Sequence, residues 1–142
     1  MNISAKTEYA CIAVLELAAN YGSGKPVRIR DIAEANGIPP RFLVHILLQL
    51  KGAGIVGSTR GAAGGYQLTR DPGQITLAEV MAVSEGQATE LTSSAAKETT
   101  ASKTLLNVWR EVAGAEREML DSITFAALLD RVRGQTDKMF YI

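Results

Sequence analysis

Residues 29–50 read IRDIAEANGIPPRFLVHILLQL, and two helices with a turn between them are written into this stretch. Ile29 to Asn36 has the spacing of a short helix, with Ile32 and Ala33 facing inward. Gly37 stands just past its end, where glycine supplies the left-handed backbone that closes a helix. Pro39 and Pro40 are tolerated at a helix start, where an N–H has no partner to lose. The next helix therefore begins there and runs to about Lys51. Leu43, Ile46, Leu47 and Leu50 form its core stripe, at i, i+3, i+4 and i+7. Ala33 is small where the two helices approach, and Ile38 fills the corner. This is the pattern of a helix-turn-helix.

The flanks extend the pattern. Residues 4–20 read as a helix, apolar from Tyr9 to Ala19 except at Glu16, and so buried on most sides. Asn20, Gly22, Ser23 and Gly24 end it, and Pro26 blocks its continuation. Val27 reads as a short strand. Downstream, the segment Ile55–Arg70 reads as a hairpin, with a tight glycine-rich loop from Gly61 to Gly65 between two strands. Thr76 is placed to cap a fourth helix, with Glu79 at capping-box spacing. Leu77, Val80 and Met81 face inward on it. Gly86 to about Thr100 is rich in Thr, Ser, Ala and Glu and reads as a loop. A long helix follows over residues 101–122. Leu105, Trp109, Val112, Glu116, Met119 and Ile123 alternate at spacings of four and three, a heptad-like seam weakened by Gly114 and Glu116. Phe125, Leu128, Leu129 and Val132 indicate a short last helix. The expected fold is mainly α with a small β-hairpin: a winged helix-turn-helix plus a long C-terminal helix.

Composition narrows the function. The chain has 142 residues, 46% hydrophobic and 21% charged, which suffices for one core. No apolar run is long enough to cross a bilayer, and no signal-peptide pattern opens the chain; a cytoplasmic location is expected. One cysteine, Cys11, excludes an internal disulfide and any site built from several thiolates. Net charge is zero, but residues 1–74 stand at +3 and residues 75–142 at −3. The basic front suits contact with phosphate.

The face of residues 40–51 opposite the core holds Arg41, Val44, His45 and Gln49. An arginine in the first turn can donate two hydrogen bonds to guanine. His45 can reach a base edge or a phosphate, and Val44 only an apolar group such as a thymine methyl. Arg60 at the hairpin tip can enter a narrow minor groove, and Gly64 and Gly65 keep that tip slim. Lys6, Tyr9 and Arg28 are candidate phosphate contacts, which position without reading sequence. Double-stranded DNA is thus the expected partner.

The stretches SAKTEYA (4–10), IRDIAEANGIPPRFL (29–43), LKGAGIV (50–56), TRGAAGGYQL (59–68) and ITLAEVMAVSEG (75–86) resemble the Rrf2 family of bacterial regulators. NVWREV (107–112) and SITFAAL (122–128) sit where that family has its dimer helix and final helix. The resemblance implies a homodimer on a pseudo-palindromic site. Leu105, Trp109, Val112, Met119 and Ile123 would line the dimer interface. Arg41, Val44 and His45 would approach bases, and Arg60 would enter the minor groove. It implies a DNA-binding domain over 1–86, a loop over 87–100, and a dimerisation helix with C-terminal helix over 101–142.

The chain departs from the family in two respects. Many members hold an iron–sulfur cluster on three cysteines between the fourth helix and the dimer helix. Here that region has neither cysteine nor histidine; Glu90, Thr92, Lys103 and Leu106 stand there instead. Such clusters need thiolates, so no cofactor is expected. Cys11, Glu8 and His45 do not form a substitute set. The signal is left open between a small-molecule effector, a partner protein, a modification of Cys11, or none. Arg28 stands where a Ser or Thr cap would be ordinary. An enzyme is disfavoured: no nucleophile–base set or paired carboxylates occur in a convincing context, and Gly61–Gly65 lacks the Lys-Ser/Thr of a phosphate loop. The remaining alternative is a winged-helix interaction module that has lost DNA binding.

Overall fold

Ser4 opens the first helix, its hydroxyl accepting from Thr7 N at 3.2 Å. The computed structural model describes residues 1–86 and 90–140. Helix α1 (Ala5–Ala19) is followed by α2 (Ile29–Asn36) and α3 (Pro40–Gly52). A hairpin of β1 (Val56–Thr59) and β2 (Gly65–Leu68) comes next, then a single 3-10 turn, Pro72–Gln74. Helices α4 (Leu77–Glu85), α5 (Thr100–Ser122) and α6 (Phe125–Phe140) complete the order. The architecture is mainly helical, a winged helix-turn-helix with a long α5.

The turn between α2 and α3 forms as its residues dictate. Gly37 takes φ 63° and Pro40 stands in the first turn of α3. Leu43, Ile46, Leu47 and Leu50 are all buried, and they join Val14 and Leu17 of α1 and Val80 of α4 in one core. Helix α1 runs through the centre, against α3, α4 and α6. The hairpin is antiparallel, with Val56 opposite Leu68 and Thr59 opposite Gly65. Val27 makes a single bridge to Tyr66, exchanging backbone hydrogen bonds of 2.9 and 2.8 Å, and goes no further as a strand.

Three local features differ from the sequence expectation. Thr76 does cap α4, accepting from Glu79 N at 3.2 Å, but the Glu79 carboxylate turns away to Arg70. A charged partner is a stronger hydrogen-bond donor than a backbone amide. The full capping box stands at α5 instead, where Thr99 and Ser102 each accept from the other's backbone N–H. Helix α6 is not short: it has 16 residues, and its Phe125 is completely buried in the core beside α1. Phe125 N donates to Ile75 O at 3.0 Å and Leu77 N to Ile123 O at 2.8 Å, which ties the start of α6 to the start of α4. The core thus draws on residues well beyond Gly86. Residues 87–89 of the expected loop, and 141–142 of the C-terminal segment, lie outside the described residues.

Candidate nucleic-acid interface

Helix α3 presents Arg41, Val44 and His45 to solvent. Its N-terminal turn rests on an aromatic pair: the Tyr9 and Phe42 rings are 6.0 Å apart, tilted by 46°. The Arg41 guanidinium lies 5.1 Å over the Phe42 ring, within cation–π range. Tyr9 is therefore a support of α3 from α1, with Lys6 half-buried one turn earlier. Gln49, four residues beyond His45, is half-buried, and its Oε1 is enclosed without a hydrogen-bond partner.

The wing is held to this unit at two places. Lys51 Nζ at the end of α3 donates to Ser58 Oγ on β1 at 2.6 Å. On the other side, Tyr66 of β2 pairs with Val27. The glycines are needed for close approach. A Cβ on Gly65 would stand 2.5 Å from the Val27 carbonyl oxygen, and one on Gly64 would stand 2.2 Å from that of Thr59. Gly64 N donates to Gly61 O at 3.0 Å, closing the tip. Arg60 is exposed there.

Arg28 takes the N-cap of α2 in extended conformation with no side-chain cap. It shares an open cleft of about 590 Å³ with Ser58, Arg60, Gly61, Gly64 and Tyr66. Among the described residues, Arg28, Arg41 and Arg60 make no ion pair. The arrangement offers an exposed helix face, unpaired guanidinium groups and a slim hairpin anchored beside them.

The remaining candidates sit elsewhere. Leu105, Trp109, Val112 and Met119 are 51–67% exposed along α5. Ile123, past the end of α5, is half-buried and its carbonyl serves α4. Residues 90–91 lie alongside α5, where Arg110 Nη2 donates to Leu91 O at 3.1 Å and pairs with Glu90. Thr7, fully buried, lies 2.8 Å from Ser84 Oγ and donates to Glu85 Oε1 at 3.0 Å, joining α1 to α4. Sequence reasoning missed Phe42, Leu48, Lys51 and Ser58. Leu48 was discoverable, since it follows Arg41 and Val44 at helical spacing.

An exposed second helix of a helix-turn-helix, joined directly to a glycine-tipped hairpin, defines a winged-helix DNA-binding regulator of transcription. The family model of Rrf2, described as an iron-dependent transcriptional regulator, matches residues 3–131, and the chain belongs to that family. It is 33% identical to the HTH-type transcriptional regulator CymR of Bacillus subtilis over 143 residues, covering all of both chains. The solved structure of CymR, the global cysteine regulator of B. subtilis, superposes with a TM-score of 0.80 over 92% of this chain and 98% of that one. T. potens IscR superposes with a TM-score of 0.74 at 34% identity, over 93% of this chain and 88% of that one. The chain is a transcription regulator of the HTH type and not an enzyme.

The family description names iron, and the donor set here does not fit a thiolate-held cluster. The chain has one cysteine and one histidine. Burial, followed by the Glu85 charge, pushes the Cys11 thiol up to about 11, so it is protonated at neutral pH. Among the described residues, no three His, Cys, Asp or Glu side chains stand together to hold a metal ion. No described helix is long and apolar enough to cross a membrane.

Proposed function

We propose that the chain acts as a homodimeric repressor on a pseudo-palindromic DNA site in the cytoplasm, without an iron–sulfur cluster. Helix α3 enters the major groove and the Arg60 wing the adjacent minor groove. Arg41 takes a guanine edge, Val44 an apolar group and His45 an edge or phosphate. Lys6 and Arg28 hold phosphates, and Tyr9 acts through Phe42. Gln49, four residues beyond His45, belongs to the same proposed DNA face. Residues 1–86 form the DNA-binding unit and residues 101–142 supply the dimer contact, seated on that unit through Phe125. Residues 87–100 join the two along the chain. The exposed seam Leu105–Trp109–Val112–Met119 supports the pairing, since large apolar groups in a row on one helix favour a partner.

The observation that carries this reading is the double anchoring of the wing, by Lys51–Ser58 and Val27–Tyr66, next to the open face of α3. It sets the hairpin beside the exposed residues of α3. The test is binding of the full chain to mixed genomic DNA by fluorescence anisotropy at 50 and 200 mM salt. Affinity should fall by a factor on the order of a thousand, as for a protein making several phosphate contacts. Absence of binding at the lower salt would reject DNA binding and leave the interaction module.

A further inference from the structure

Helix α3 carries a stripe that the core does not explain. Arg41, Val44, Leu48 and Lys51 follow one another at spacings of three, four and three, so they share one face. Val44 is 46% exposed and Leu48 56% exposed. Lys51, at the far end, reaches Ser58 on β1, so the stripe runs from the start of α3 to the wing. No Asp or Glu occurs anywhere in α3. Two bulky aliphatic side chains are therefore held in water between two cations, on a helix with no carboxylate to repel a polyanion.

Covering either aliphatic group is favourable. The occupant that suits all four residues is apolar at its centre and anionic at its flanks. The major groove of DNA meets that description. The C5-methyl of thymine is the apolar group on its base edges, and phosphates border it. A second copy of α3 would not suit, because it would set cation against cation.

We infer that Val44 and Leu48 together read a pair of thymine methyls, placed beside the guanine taken by Arg41. This rests on the major-groove placement of α3 and deepens it. A rise of about 1.5 Å per residue separates the two side chains by about 6 Å along the helix, too far for both to rest on one methyl. Val44 alone accounts for one methyl. Leu48 makes the preference a doublet with a direction, so each half-site is oriented by its thymines as well as by its guanine.

The test removes only the methyls. Duplexes that bind the full chain are selected from a random pool, and each thymine of the selected site is replaced in turn by uracil. Two positions per half-site should each lose about fourfold in affinity, the value of one buried carbon. Val44→Ala should abolish the penalty at one position and Leu48→Ala at the other, while Arg41→Ala leaves both penalties in place. Both aliphatic residues are exposed, so circular dichroism should show both variants folded. A selected site that binds equally well with uracil throughout overturns the methyl reading and leaves DNA binding intact. A pool that yields no bound duplex overturns both. A Leu48→Ala variant with altered sedimentation and an unaltered uracil profile also overturns it, because the face would then be covered by protein.

Discussion

Helices α1 and α5 are both rich in apolar residues, and the chain buries one and leaves the other open. Six of the fifteen residues of α1 are buried, and none of the twenty-three of α5. The cause is position. Helix α1 is enclosed by α3, α4 and α6. Among the described residues, helix α5 meets only α4 closely, and its seam from Leu105 to Met119 faces outward. An isolated helix is marginal in water, and most helical stability in proteins comes from packing an apolar face. The apolar residues of α1 hold the monomer together; those of α5 are available to something outside it.

The largest expected effect tests the first half of that contrast. Leu17 is 1% exposed in α1. Leu17→Ala should cost ~2–5 kcal/mol in urea unfolding, from lost burial and the cavity left behind. Leu105→Ala on α5 should leave the unfolding of dilute monomer nearly unchanged. Equal losses at the two sites would erase the distinction.

The second effect tests what covers α5. Trp109 is 57% exposed, at the middle of the seam. Trp109→Glu should weaken self-association about a hundredfold, ~3 kcal/mol, because aromatic anchors dominate interfaces and a buried unpaired carboxylate opposes them. Sedimentation velocity should show monomer where the parent chain is a dimer. Unaltered dimers would move the interface off this helix.

The third compares two glycines. On Gly65 a Cβ would meet the Val27 carbonyl at 2.5 Å, whereas on Gly114 of α5 it would meet nothing within 4 Å. Gly65→Ala should destabilise by ~1–3 kcal/mol through overpacking, with loss of hydrogen-exchange protection at Val27 and Tyr66. Gly114→Ala should stabilise by roughly 0.8–1 kcal/mol through helix propensity. A destabilised Gly114→Ala protein would show that the partner lies against that residue.

The regions also differ in how legible they are. The helix-turn-helix could be read because its determinants are local: Gly37 at the turn, Pro40 at the helix start, and four leucine or isoleucine positions within one element. The burial of Phe125 could not, because it depends on Ile75, fifty residues away along the chain. The α5 cap was hidden in a run of Ser and Thr, where Thr99 looks like any other loop residue. Glu79 had the spacing of a capping box and was claimed by Arg70. Within the site, Arg41 and Arg60 stood out by charge. Leu48 did not, because it is set among the core leucines of α3, and only its spacing from Arg41 and Val44 sets it apart. The role of Tyr9 as a support of Phe42 needed the packing of α1 on α3.

The smallest effect sharpens the same contrast chemically. Cys11 belongs to the enclosed helix, half-buried, and burial with the Glu85 charge raises its thiol from 9.0 to about 11. The folded chain thus holds this proton more tightly than the unfolded chain does. The stability linked to it is complete below about pH 9 and is lost as pH rises from there towards 11. Alkylation follows the thiolate. In the native protein, labelling by iodoacetamide should be slow at pH 7.5 and should rise about tenfold per pH unit past pH 9. In urea-unfolded protein it should level off near 9. A native rate that levels off below pH 9 would mean that the thiol is open to solvent. Helix α1 would then be less enclosed than its packing against α4 requires, and Cys11 would become available as a redox switch.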